Sequence, residues 1–260
     1  MPRPAVSNNP AATSTGGSSK RLLAVLIVLG IVVAIMLAVL IGGRNSSASD
    51  GDAAPTAEAG NSSSAGQSAV PQGALGFGEA MVVGQAREGA PTLDIYEDPQ
   101  CPMCGRFEAI FGETIRDLVE SGEARVQVHT MSFLDVNLRN DSSRRAANAM
   151  FCAADQGAFA EYETAVFQGQ PAREGSGWTD AQLEQFATDV GLQGSELDTW
   201  RSCQESMKYL PHVEALQEAS TRNGVRGTPT VHLNGAPLQL GGLTPELFRQ
   251  RVLGREPAGP

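Results

Sequence analysis

The sequence predicts a small α/β layer fold with an inserted helical subdomain, preceded by one N-terminal transmembrane helix. Three observations carry this. Strand, helix, strand, helical block, hairpin and helix follow one another from residue 76 onward; turn and cap residues mark their boundaries; and one uninterrupted apolar stretch stands at residues 22–41. Of 260 residues, 41% are apolar, 18% charged and only 5% aromatic, but the distribution is uneven. The first 75 residues hold the apolar stretch and two Ser/Ala/Gly-rich segments, so residues 76–260 form the part able to bury a sizeable core as one domain. That part carries 15 basic and 26 acidic side chains. An acidic domain without a basic run is a poor ligand for phosphate backbones, which excludes nucleic-acid binding as its role.

Residues 22–41 read LLAVLIVLGIVVAIMLAVLI, 20 residues without a charge or a strong hydrogen-bonding side chain. At about 1.5 Å per residue such a helix crosses about 30 Å, the thickness of a bilayer core. Uniform apolarity argues against a surface helix of a soluble domain, which would show one polar face. A cleaved signal peptide would have a shorter apolar core and a small-x-small cleavage site, whereas Ile41-Gly42-Gly43-Arg44 follows here. Lys20 and Arg21 abut the N-terminal end of the stretch, with Arg3 behind them, against Arg44 alone on the other side. The positive-inside bias therefore keeps residues 1–21 in the cytoplasm as a disordered tail and exports everything beyond the span. Residues 42–75, rich in Ser, Ala, Gly, Asn and Pro, are expected to be a disordered exported linker. Its 34 residues would reach roughly 30 Å.

Within the exported part, residues 92–96 alternate Leu93 and Ile95 inward and end at Glu97-Asp98-Pro99, a strand running into a turn. A helix follows, in which Cys104, Phe107, Phe111, Ile115 and Leu118 recur at three and four residues as one apolar stripe. Residues 125–131 (RVQVHTM) form the second strand. The pattern then turns helical over about 140–225. Ala147, Met150, Phe151 and Ala154 mark one helix, and Thr179 with Gln182 is a capping box for another, whose apolar face is Leu183, Phe186 and Val190. Ser195 is expected to cap a third, carrying Leu197, Trp200, Cys203, Met207 and Leu210 until Pro211 breaks it. After Gly227-Thr228-Pro229, strands return at 230–233 and 237–240, joined through the hairpin signal Asn234-Gly235. Thr244 as N-cap and Pro245 at the first helical position open a last helix, closed by Gly254.

The four cysteines sit in two settings. Cys101-Pro102-Met103-Cys104 lies at the junction of the first strand and helix, where two sulfurs three residues apart come within reach of each other. Cys101 falls at the cap, where unpaired backbone N–H groups and the positive end of the helix dipole favour a thiolate. Cys104 continues the buried stripe with Phe107 and is expected to act second. Thiol–disulfide exchange requires that asymmetry. A structural zinc site needs four ligands, and no second CxxC or nearby Cys/His pair supplies them, so neither a metal nor another cofactor is expected. His129, His212 and His232 are scattered and read as core or surface histidines. Cys152 and Cys203 lie on separate helices of the insertion among small or apolar neighbours. In an oxidising compartment they would bridge each other as a structural disulfide; a second redox-active pair is the alternative.

CPMC after a strand, a helical insertion, then Gly-Thr-Pro-Thr before a strand ending in Asn-Gly resembles the DsbA-like thiol–disulfide oxidoreductases of the thioredoxin superfamily. The likeness is greatest to their membrane-anchored forms in Gram-positive and actinobacterial cells, and it covers roughly residues 78–254. It implies a thioredoxin-like fold with Cys101 as nucleophile and Cys104 as resolving cysteine. It also implies that Pro229 is the cis-proline loop residue beside the motif, with Thr228 before it. Together Thr228 and Pro229 would then receive an extended substrate chain by strand addition. Read without the resemblance, the same proline fits an ordinary trans turn. One departure is Met103, where strongly oxidising members often have histidine; it offers the Cys101 sulfur neither charge nor hydrogen bond. Asp98 or Glu97, just before the motif, could relay the resolving proton or simply cap the turn.

The resemblance implies an enzyme acting as a monomer that passes its Cys101–Cys104 disulfide to reduced exported proteins. It further implies that a quinone-linked membrane partner of the vitamin K epoxide reductase or DsbB type takes the electrons. The alternatives are an extracytoplasmic reductase or isomerase, and a non-catalytic chaperone holding extended chains in the cis-proline groove.

Overall fold

A computed structural model describes residues 69–255 of the chain. Its strands are Met81–Val83 (β1), Thr92–Glu97 (β2), Arg125–Thr130 (β3), Thr230–Leu233 (β4) and Ala236–Pro237 (β5). Its helices are Pro102–Glu120 (α1), Leu134–Leu138 (α2), Ser142–Ala154 (α3), Phe159–Gln168 (α4), Asp180–Asp189 (α5), Ser195–Glu205 (α6), Leu210–Arg222 (α7) and Pro245–Val252 (α8).

The sheet order is β1-β3-β2-β4-β5. β2 and β3 run parallel, with Ile95 opposite Val128, and α1 makes the crossover between them. β4 joins the other edge of β2 antiparallel, with Val231 opposite Ile95. Because side chains alternate along a strand, Leu93, Ile95 and Glu97 share one face of β2 and Asp94 and Tyr96 the other. On the Ile95 face lies the stripe expected of α1: Cys104, Phe107, Phe111, Ile115 and Leu118 are all buried. α8 packs beside α1, with Phe248 stacked on Phe111 at 4.7 Å between ring centres. On the other face Tyr96 packs with Met131 and Val225.

The insertion is built around α3, whose Ala146, Ala147, Met150 and Phe151 are completely buried. The small alanines let neighbouring helices approach closely. Trp200 of α6 donates to the Ala149 carbonyl at 3.1 Å, and Phe151 lies edge-on to His212 of α7. A disulfide joins Cys152 of α3 to Cys203 of α6, with a Cα–Cα distance of 5.8 Å. α5 opens with the expected Thr179–Gln182 capping box, and α8 opens with Thr244 accepting from the Leu247 N–H.

Several details differ from the sequence reading. α6 ends at Glu205, and Met207 turns the chain with φ 48°, so Leu210 belongs to a new helix. Pro211 sits in the first turn of α7, where its missing N–H costs nothing; it starts a helix rather than breaking one. Ser195 is the first helical residue of α6, and Gly194 is the cap. Asn234 and Gly235 form the expected tight turn, both with positive φ (51° and 79°). The strand after it is only Ala236–Pro237, because proline cannot donate to a continuing ladder. The folded region also extends below residue 76. Pro71 is buried, Ala69 and Ala74 pack against the core, and the Val82 N–H donates to the Gly73 carbonyl at 3.0 Å. No helix among the described residues is long and apolar enough to cross a membrane, and the span expected at residues 22–41 lies outside them, as does the tail at 1–21.

Candidate active site at the first turn of α1

Cys101 is the N-cap of α1 (φ −74°, ψ 115°), and Pro102 occupies the first helical position, where it lacks an N–H in any case. No side chain caps this end, so the amides of the first turn remain open toward the Cys101 sulfur. Both cysteines are free thiols. Cys101 is 7% exposed and Cys104 only 1%, on the inner stripe of α1 as the spacing implied. The Thr228–Pro229 peptide bond is cis, and the Thr228 carbonyl stands 3.4 Å from the Cys101 sulfur, across the end of the sheet.

These surroundings separate the two thiols electrostatically. The Cys101 pKa falls to about 6, first because the Cys104 thiol donates to it, then because the Thr228 hydroxyl and the Cys104 and Met103 amides favour the thiolate against the cost of burial. Burial pushes Cys104 well above the ordinary thiol range; the neighbouring Cys101 and the Glu97 carboxylate add to the rise. Met103, between them, is half exposed and points outward.

The two carboxyls before the motif have different surroundings. Asp98 accepts from the Gln100 N–H at 3.0 Å, the Ser143 hydroxyl at 2.6 Å and the Leu134 N–H at 3.1 Å, tying the turn to α2 and α3. Burial nevertheless raises its pKa to about 7. All its oxygens are engaged by that network. Glu97 shares the inward face of β2, is 4% exposed, and its Oε1 has no hydrogen-bond partner. Its pKa is raised well above the carboxylate range, first by burial and then by the like charge of Glu163 on α4. Glu163 itself rises to about 8 through burial and the neighbouring Glu108. Glu97, Glu108 and Glu163 line one cavity of about 700 Å³ between α1, α4 and the sheet. Arg116 lines it too, but is already paired with Glu108 at 2.8 Å.

Two residues at the site escaped the sequence reading. Glu163 lies in a helix whose Phe159, Tyr162, Val166 and Phe167 are core residues; the sequence reading singled out neither that helix nor its carboxyl. Gln170 follows that helix and donates through Nε2 to the carbonyls of Pro99 and Cys101, at 2.7 and 2.9 Å. Nothing in its local sequence signals this.

Among the described residues no group of histidine, cysteine and acidic side chains is arranged to hold a metal ion. A family model described as Thioredoxin matches residues 78–246. Among solved structures, the disulfide bond oxidoreductase DsbG from Mycobacterium tuberculosis is 30% identical, covering 69% of this chain and 89% of that one, with a TM-score of 0.56. The MdbA protein of Actinomyces oris, a thiol-disulfide oxidoreductase, is 24% identical over 73% of this chain and 94% of its own, with a TM-score of 0.63, a likeness of fold. The serine/threonine-protein kinase PknE of M. tuberculosis is 31% identical over 118 residues, 43% of this chain. The chain spans only 21% of the length of that curated relative. With the family model spanning most of the folded region and DsbG matched over nearly all of its length, the chain belongs to the thioredoxin family and has the fold of its DsbA-like thiol–disulfide oxidoreductases.

Proposed function

We propose that the protein introduces disulfide bonds into exported proteins by exchange through a Cys101–Cys104 disulfide. The observation that carries the reading is the asymmetry of the two sulfurs: Cys101 at the open start of α1 with a pKa of about 6, Cys104 buried behind it and pushed the other way. A low pKa makes Cys101 a good leaving thiolate and stabilises the reduced pair, which is what makes a dithiol couple oxidising.

A substrate thiolate attacks the Cys101 sulfur of the disulfide. The Cys101–Cys104 bond breaks, its electron pair goes to Cys104, and Cys104 takes a proton from the Glu97 carboxyl. The substrate's second thiolate then attacks the substrate sulfur of the mixed disulfide and expels Cys101 as a thiolate. The substrate loses two electrons and the cysteine pair gains them. Thr228 and Pro229 present the edge beside Cys101 against which an extended substrate chain lies. The test is oxidation of a reduced dithiol peptide by the stoichiometric disulfide form. Wild type converts it, whereas Cys101→Ser and Cys104→Ala, neither of which can form the disulfide, do not. Substrate retention unaffected by Cys101→Ser, with no conversion by wild type, would favour a chaperone instead.

The apolar stretch at residues 22–41 and the basic residues before it support an anchored protein with its redox domain outside the membrane. Such an oxidase is returned to its disulfide form by a quinone-linked membrane partner of the vitamin K epoxide reductase or DsbB type, which takes the two electrons. A chain that stays with the membrane through a carbonate wash agrees with this placement; soluble release of a chain beginning near residue 45 contradicts it.

A further inference from the structure

One side chain of the helical insertion, Gln170, bonds the backbone of the redox turn on both sides of Gln100-Cys101. Gln170 leaves the C-terminal end of α4, where Gly169 caps the helix and accepts from the Trp178 indole at 2.9 Å. Trp178 is 4% exposed, and a Cβ at Gly169 would stand 2.3 Å from the Phe186 ring, so this end of α4 is tightly fixed. From there the Gln170 amide donates to the carbonyls of Pro99 and Cys101, the peptide groups on either side of Gln100-Cys101. Gln100 is anchored from the opposite direction, its amide donating to Asp135 and Ser143 at 2.8 Å each.

α1 leaves room for this contact. A Cβ at Gly105 would lie 2.3 Å from the Gln170 Oε1 and 3.0 Å from its Cδ. Gly105 does not have the positive φ that would call for glycine, and glycine inside a helix is unfavourable relative to alanine. Its place in the first turn therefore accommodates the Gln170 side chain.

We propose that Gln170 is a positioning residue for Cys101. By holding the carbonyls of Pro99 and Cys101, it fixes the sulfur at the N-terminal amides of α1 and so sets how strongly the thiolate is favoured and how oxidising the pair is. This rests on the reading of Cys101 as the attacking thiolate.

Two variants test it in the intact folded domain. Gln170→Met keeps the side-chain length and removes both donors. Gly105→Ala keeps Gln170 but displaces its amide, while the alanine itself favours the helix. Both are expected to move the Cys101 thiolate absorbance midpoint upward by at least half a pH unit. Both should also shift the glutathione equilibrium about threefold in the less oxidising direction, the size expected for one ordinary hydrogen bond. The double variant should go little further than either single one, because both changes remove the same contact. A folded Gly105→Ala protein with raised midpoint and undiminished melting temperature separates positioning from stability. Wild-type midpoint and equilibrium in both folded variants would overturn the proposal and leave the oxidase reading standing; an unperturbed Cys101 in wild type would overturn both.

Discussion

The Cys101 sulfur lies 3.4 Å from the carbonyl oxygen of Thr228, a residue 127 positions further along the chain. The Thr228 hydroxyl is buried with no hydrogen-bond partner of its own, and it helps to hold the Cys101 pKa down. Thr228→Val keeps the shape of the side chain and removes that donor. The Cys101 midpoint should rise toward the free-thiol value of about 8.5, by one unit or less, while the fold is kept. Thiolate absorbance against pH checks this, and an unchanged midpoint would assign the stabilisation to the helix amides and Cys104 alone.

Glu97 carries the second prediction. A buried carboxyl whose folded pKa is raised binds its proton more tightly in the folded state, so it lowers stability as pH climbs from about 4 through that raised value. Glu97→Gln removes the penalty. The variant should be more resistant to urea than wild type at pH 8 to 9 and about equal to it near pH 4. Its rate of disulfide transfer should nevertheless fall by about tenfold or more, a small effect for a lost general acid. A variant as fast as wild type across that range would show that Cys104 takes its proton directly from water.

How much of this could be read from the chain depends on whether the signal is local. The CxxC at a strand–helix junction, the α1 stripe, the Thr179 and Thr244 caps and the Asn234-Gly235 turn are each set by neighbours within a few residues, and each stands where expected. The strand alternation also held more than was taken from it. Leu93, Ile95 and Glu97 fall on one face, which marks Glu97 as a carboxyl on the core side of the sheet. Pro211 misled because proline at a helix start and proline after a helix end look alike until the preceding turn is known. β1 is three residues long, too short for a periodic signal. Gln170 and Glu163 become part of the site only when α4 folds back onto α1, about 60 residues away in sequence, and no local pattern encodes that meeting.

The Cys152–Cys203 bridge closes a separation of 51 residues between α3 and α6. In the chain-entropy model such a loop stabilises the fold by about 4 kcal/mol. Replacing both cysteines by alanine should lower the melting temperature by about 10 °C while the folded protein keeps most of its disulfide-transfer rate. Loss of turnover at unchanged stability would give the pair a redox role instead.

His212 predicts an acid limb of stability. It is fully buried, its Nδ1 accepts from the Gly78 N–H at 3.1 Å, and burial lowers its pKa to about 4. The unfolded chain therefore takes up a proton near pH 6.5 that the folded protein refuses until about pH 4. Stability attributable to His212 is full above pH 6.5 and is lost as pH falls through that window. His212→Gln should lower stability at pH 7 but flatten the decline between pH 6.5 and 4. Denaturation midpoints at a series of pH values measure the slope, and identical slopes in the two proteins would rule this out.

The central claim is that Cys101 is an electrostatically favoured thiolate whose disulfide with Cys104 is an oxidant. Thiolate absorbance of the reduced protein against pH, paired with equilibration of the same protein against glutathione, tests it most directly. The expected result is a Cys101 midpoint near 6, absent in Cys101→Ser, and a pair that glutathione readily reduces. A midpoint near the free-thiol value of about 8.5, with a disulfide that resists glutathione, would contradict the account and make the protein a reductase.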